Sequence, residues 1–304
     1  MKPVIKNIEA SVRGRLQDKA RKVNQPFSEI LQYYGIERFL YRFSQSEFAK
    51  SFILKGALMF TVWNVPQRRT TMDIDFLALF DNQIEKIEQV IRDVCSVKTA
   101  TDGLIFDAKT VRGQRIKKDA DYEGVRVTFL GFLEKSKISM QIDIGFGDVI
   151  TPKPSDVDYP SLLNFPAPHL KGYPFETVVA EKFEAMIKLG TLNSRMKDFY
   201  DVWLMSRQFN FEEKKLVTAI KATFKNRETP LPSGKPLFAA AIYADESVQA
   251  TMWKGFLKKN PIKGTPDSFK AVVSAVEEFL NDPVVAIISG RELSNNWQAP
   301  GPWK

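Results

Sequence analysis

The stretch Arg69-Thr70-Thr71-Met72-Asp73-Ile74-Asp75-Phe76 decides the reading of this chain. Side chains two apart on a strand point the same way, so the spacing predicts that Asp73 and Asp75 converge on one side while Met72, Ile74 and Phe76 face the core. Two carboxylates aimed at one spot repel each other unless a cation joins them. Oxygen-only ligands favour a hard ion, Mg²⁺ (or Mn²⁺), which keeps waters and takes further ligands from substrate phosphates. Asp-x-Asp also occurs on solvated strand faces, so the flanking segments carry the choice between the two readings.

Upstream, Ser51-Phe52-Ile53-Leu54 is an apolar strand that breaks at Gly56 and runs into a helix over Ala57 to Trp63. A glycine at such a turn lets backbone N–H groups approach a phosphate closely, although an ordinary turn glycine looks the same. Downstream, Met140, Ile142 and Ile144 alternate with Ser139, Gln141 and Asp143, giving a strand with one apolar and one polar face. Asp143 lies on the polar one. If this strand neighbours that of Asp73 and Asp75, three carboxylates meet, enough for two metals; the alternative is a half-buried sheet facing water.

Two helices add further candidates. On the helix Glu176 to Gly190, Val178, Ala185, Met186 and Leu189 form an apolar arc with Lys182 inside it, whereas Glu181, Glu184 and Lys188 read as a solvated face. Lys182 must either snorkel to water or meet a negative group, such as a nucleotide phosphate. The next helix, Lys197 to Met205, is apolar nearly all round, so Asp198 and Asp201 need partners. Asp198 fits the first turn, where the helix dipole favours it. Asp201 is expected to pair with a cation such as Arg195, Lys197 or Lys182.

Taken in order, these motifs resemble the AbiEii-type nucleotidyltransferase toxins of type IV toxin–antitoxin and abortive-infection systems (MenT-like). The resemblance runs from Ser11-Val12-Arg13-Gly14-Arg15-Leu16 through Tyr34-Gly35-Ile36-Glu37-Arg38-Phe39-Leu40, Phe52-Ile53-Leu54-Lys55-Gly56-Ala57 and the Asp73 stretch. It continues in Asp143-Ile144-Gly145-Phe146-Gly147-Asp148, Ala180-Glu181-Lys182 and Asn193-Ser194-Arg195-Met196-Lys197-Asp198-Phe199-Tyr200-Asp201. It implies an α+β fold: a polymerase-β-like nucleotidyltransferase core, a mixed sheet with flanking helices, plus a C-terminal helical lobe. It further implies Asp73, Asp75 and Asp143 as metal ligands, and Lys55, Gly56, Ala57, Arg69, Thr70, Thr71 and Lys182 around the nucleotide. Asp198 would be an acidic residue needed for activity, with Glu181, Arg195, Lys197 and Asp201 in support. Ala57 stands where the family usually has a second Gly or Ser, so a hydroxyl contact is missing while the backbone N–H remains.

The implied reaction is transfer of a nucleoside monophosphate from an NTP to the 3′ end of an RNA such as tRNA, arresting translation, under control of an AbiEi-like antitoxin encoded nearby. Transfer to a protein side chain is the alternative within enzyme chemistry. An inactive nucleotide- or RNA-binding regulator is the alternative outside it.

Composition agrees. Lys plus Arg number 44 against 36 Asp plus Glu, a net charge of +8 that suits a polyanionic partner. The surplus includes Arg112, Arg115, Lys117, Lys118, Arg126, Lys214, Lys215, Lys221, Lys225, Arg227, Lys254, Lys258 and Lys259, a solvated face unless RNA phosphates meet it. Single residues of Cys (Cys95) and His (His169) exclude an intramolecular disulfide and cysteine-rich or histidine-rich zinc sites. No signal peptide or apolar run of about eighteen residues appears, so a cytoplasmic protein without a membrane partner is expected.

The expected organisation is N-terminal helices over 1–47 (10–23 and 27–43), a nucleotidyltransferase core over 48–150 and a proline-rich connector over 151–174 without regular elements. A helical domain over 175–290 and a tail over 291–304 follow. Helices are expected at 82–97, 176–190, 197–208, 211–226, 236–243, 246–258 and 267–281, the last ending before Pro283. The tail either docks on the body or stays mobile.

Overall fold

Val12, Leu16 and Ala20 form the inner stripe of the first helix, as their spacing predicts, and all three are buried. The computed structural model describes residues 7–66, 69–119 and 122–304, without side chains at 117–119, 122 and 123. The Lys117 and Lys118 side chains, counted above among the surplus cations, therefore lie outside the described residues. In chain order the elements are α1 (Ile8–Val23), α2 (Phe27–Ser44), β1 (Phe52–Lys55), α3 (Leu58–Val62), β2 (Ile74–Ala78), α4 (Ile84–Cys95) and β3 (Leu104–Asp119). Next come β4 (Tyr122–Leu133), β5 (Ser136–Phe146), β6 (Ser155–Asp158) and β7 (His169–Gly172). Described residues within Met1–Asn64, Thr71–Gly147 and Ser155–Gly172 form one unit, and those within Val65–Thr70, Asp148–Pro154 and Tyr173–Lys304 a second.

The first unit is a seven-stranded mixed sheet in the order β3-β4-β5-β2-β1-β7-β6 with flanking helices, so the fold is α+β. β5 alternates as its sequence requires, burying Ile138, Met140, Ile142 and Ile144. α2 lies against that face through Gly35, where an added Cβ would stand 3.1 Å from Ile138 Cγ2. Phe43 of α2 stacks on Phe76 of β2 with ring centroids 4.9 Å apart, and burying each ring contributes about 1.5–3 kcal/mol. Met72 departs from expectation at 37% exposed. The ladder of β2 begins only at the pair Ile74↔Ile142, so strand alternation does not yet constrain it.

A charged network is sealed under α2. Arg38 and Arg42 donate to Asp102, at 3.1 Å and at 2.8 and 3.0 Å, and Arg38 also pairs with Glu37 at 3.0 Å. All four residues are buried. Glu37 in turn accepts from Ser161 and from the backbone N–H of Leu162, which explains why charged residues occupy the middle of an apolar helix.

One further expectation needs correction. The segment 151–174 is not devoid of regular structure: β7 pairs in parallel with β1 at Gly172↔Leu54, and β6 runs antiparallel to β7. Its prolines, at 152, 154, 160, 166 and 168, flank these two four-residue strands without entering them, so no ladder donor is lost. His169 heads β7 and contacts Asp158 at 2.8 Å on an exposed surface.

The second unit is helical: α5 (Phe175–Leu189), α6 (Met196–Gln208), α7 (Glu213–Asn226), α8 (Val248–Lys259) and α9 (Phe269–Ser289), with a short ribbon of β8 (Phe211–Glu212) and β9 (Asn296–Trp297). The helix expected over 236–243 is reduced to a 3-10 turn at Ala240–Ile242, and the Phe238 N–H ahead of it donates to the Glu277 side chain. α9 does not stop at Pro283 but runs six residues further, to Ser289. A proline leaves the carbonyl four residues earlier without its helical donor, and here the Trp303 indole N–H donates to that carbonyl, Phe279 O, at 2.8 Å. Pro283 thus gives the tail its anchor, and with Trp297 donating to Ser206 O at 2.6 Å the tail is docked. No helix among the described residues is long and apolar enough to cross a membrane.

Candidate functional site

The three expected carboxylates all lie in the first unit. Asp75 and Asp143 stand in register on the parallel pair β2 and β5, so they project to one face as immediate neighbours. Asp73 precedes β2 and is half-buried. Gly56 lies beneath Asp75: a Cβ built on it would fall 2.2 Å from Asp75 Oδ2, and its φ of +72° is a conformation other residues adopt with strain. Glycine is therefore required here twice over, by backbone and by space. Ala57 follows in helical conformation, and Lys55 stands opposite Asp75 across the antiparallel pair β1 and β2. Thr71 is half-buried and Thr70 exposed.

Arg126 of β4, read from sequence only as one of the surplus cations, belongs to this constellation. It donates to both oxygens of Asp143, Nε to Oδ1 at 2.8 Å and Nη2 to Oδ2 at 2.9 Å. Those hydrogen bonds, together with the negative charges of Asp143, Asp73 and Asp75, hold its pKa above the ordinary arginine value. Its position on the polar face between Val125 and Val127 was visible in the sequence, but its partner depends on the register Arg126↔Asp143.

Does this face suit a divalent cation? Among the described residues no three His, Cys, Asp or Glu side chains already form a metal cage. Mg²⁺ does not ask for one, since it binds through one or two carboxylates and completes its shell with waters and phosphates. Asp73 and Asp75 supply donors of that kind, and the Gly56 turn keeps Asp75 in place.

The remaining expected residues lie in the second unit. Lys182 of α5 is held by two carboxylates of α6, Asp198 at 2.7 Å and Asp201 at 2.8 Å, so its place in the apolar arc is resolved by ion pairing. Arg69 donates to both oxygens of Asp201 at 3.1 Å, and Arg195 Nε stands 2.6 Å from Asp198 Oδ2. Lys197 is exposed on the first turn of α6. Lys182, Arg69 and Arg195 thus meet around the two carboxylates of α6. Burial alone would lower the Lys182 pKa, yet the two aspartates hold it above the ordinary value.

The solvated face expected on α5 needs correction. Glu184 is buried, accepts from Thr229 and pairs with Arg227 at 2.7 Å; Arg227 also meets Asp148 at 2.9 Å and Glu181 at 3.7 Å. Arg227 therefore belongs to an internal network and leaves the pool of surface cations. Lys214, Lys221, Lys225, Lys254, Lys258 and Lys259 are exposed.

Asp198 makes a pH prediction possible. Burial pushes its carboxyl up, but Lys182 and Arg195 outweigh that and lower it from 3.8 to about 2. A depressed carboxylate pKa stabilises the folded state above the unfolded value and loses this contribution as pH falls through the folded one. Asp198 is thus expected to contribute about 2 kcal/mol above pH ~4 that disappears towards pH ~2. Urea midpoints of the wild type and Asp198→Asn, measured along pH, should converge as acid is added; a constant gap would contradict the assignment.

Residues 38–275 match the family described as Nucleotidyl transferase AbiEii toxin, Type IV TA system. The match reaches further toward the C-terminus than the motifs ending at Asp201. No curated protein matches the chain. Two crystal structures from Helicobacter pylori are similar: JHP933, at 12% identity over 83% of this chain and 89% of that one with a TM-score of 0.43, and a candidate nucleotidyltransferase, at 14% over 83% and 92% with a TM-score of 0.42.

Proposed function

This chain belongs to the AbiEii nucleotidyl transferase toxin family of type IV toxin–antitoxin systems and is a nucleotidyltransferase; on that premise we propose that it transfers a nucleoside monophosphate from an NTP to the 3′ end of an RNA, with the tRNA acceptor end as its target. Blocking that end arrests translation and growth, and an AbiEi-like antitoxin encoded nearby restrains it. The observation that carries the reading is the seat of Asp75, in register with Asp143 and pressed on the Cα of Gly56.

In this reaction the acceptor hydroxyl oxygen bonds to the α-phosphorus, the bond from that phosphorus to the bridging oxygen breaks, and pyrophosphate leaves. Asp73 and Asp75 hold Mg²⁺ (or Mn²⁺), which supplies Lewis-acid charge to the phosphates and the attacking hydroxyl when bound. The turn Lys55-Gly56-Ala57 offers backbone N–H groups to the phosphates beside the Asp75 carboxylate, which fills the space a Cβ at Gly56 would need. Lys182 is the phosphate-binding lysine, with Asp198 and Asp201 fixing its orientation. The exposed lysines of α7 and α8 present the charge an RNA backbone requires, so binding should weaken steeply with salt.

Incubating the protein with α-labelled NTPs, Mg²⁺, total RNA and total cell protein tests this. Label is expected on RNA, lost after removal of its 3′-terminal nucleotides. Label on protein instead would replace the acceptor, and label on neither would make the chain a binder.

A further inference from the structure

Four charged residues stand in consecutive register across the sheet: Lys55 of β1 opposite Asp75 of β2, Asp75 opposite Asp143 of β5, and Asp143 opposite Arg126 of β4. Paired residues on neighbouring strands project to the same face, so the row reads plus, minus, minus, plus. At its far end Asp143 is 7% exposed and turns both oxygens to Arg126. Such a forked, charge-assisted pair is directional and strong. The Arg126 side chain as a whole is 34% exposed. A carboxylate whose two oxygens both face a guanidinium has its charge met without a metal ion.

Resting on the reading that Asp73 and Asp75 hold the metal, we infer that the site takes a single divalent cation, and that Arg126, anchored by Asp143, fills the place of a second. Asp143 is then the anchor of a fixed positive charge and not a metal ligand. Arg126 is a positioning residue: it withholds Asp143 from the metal and keeps its charge at the end of the row whether or not nucleotide is bound.

Bound Mn²⁺ can be counted by electron paramagnetic resonance on the full chain with a non-hydrolysable NTP analogue. The wild type is expected to bind one ion, and Arg126→Ala, which releases Asp143, two. Asp143→Asn should still bind one, with Mn²⁺ affinity changed by less than about tenfold, the lower edge of outer-shell effects. Two ions on the wild type, one on Arg126→Ala, or a larger loss in Asp143→Asn would overturn the inference. No ion on the wild type would instead remove the assignment of Asp73 and Asp75 as ligands. Melting curves confirm that each counted variant is folded, and if Arg126→Ala is not, Asp143→Asn decides.

Discussion

Asp75→Asn is expected to lower nucleotide transfer by about 10²–10³-fold or more, the scale on which a preorganised charged or polar group at a reaction centre acts, while leaving the melting temperature unchanged. Asparagine has the shape of aspartate, so it still fits against Gly56, where Asp75 Oδ2 occupies the space a Cβ would need. What it lacks is the charge. Asp75 stands directly beside Asp143, and like charges in neighbouring register repel, at a cost of roughly 0.2–1 kcal/mol on the scale of cross-strand pairs. Neutralising Asp75 relieves that repulsion and gives up the attraction of Lys55 on its other side, so the two changes offset. A residue whose removal costs activity and not stability is kept for chemistry. Labelled-NTP turnover and thermal melting on the same preparation check both halves. Undiminished turnover would exclude Asp75 from the site, and a parallel fall in turnover and stability would make its role structural.

The parts of the fold visible in advance are those written in local periodicity. The stripe Val12, Leu16, Ala20 and the alternation along β5 each depend on residues within a few positions of one another, and the burial follows them. The misread parts depend on partners far along the chain. Pro283 signals a stop, yet the carbonyl it frees is satisfied by Trp303, and α9 continues. Glu184 looks solvated on its own wheel, and only Arg227 and Thr229, brought in from beyond α7, explain its burial. Four residues cannot be recognised as β6 or β7 until β1 offers an edge. The site divides in the same way. Strand parity indicated that Asp143 lies on a polar face, whereas Asp73 stands before the first ladder pair of β2, where parity does not act, and the fork of Arg126 on Asp143 is a matter of register between strands, which no local pattern carries.

Asp102→Ala is expected to cost about 3–5 kcal/mol of stability, the range for removing one partner from a buried ion pair. The Asp102 carboxylate receives Arg38, two nitrogens of Arg42 and the backbone N–H of Leu104. Removing it leaves two buried guanidinium groups facing one remaining carboxylate, Glu37, which pairs with Arg38 and not with Arg42. Backbone carbonyls still accept from them, Pro166 O from Arg38 and Arg38 O and Leu104 O from Arg42, but carbonyl oxygens do not offset a full charge. Against a total stability of about 5–15 kcal/mol this is a large fraction. Asp102→Asn keeps the shape and one acceptor, so it should lose less than the alanine variant while still losing the charge. Urea midpoints of the three proteins are expected to fall in the order wild type, Asn, Ala. Equal midpoints would mean that the arginines find water on losing their carboxylate, and that the motif Glu37-Arg38 is not what fixes α2 to the sheet.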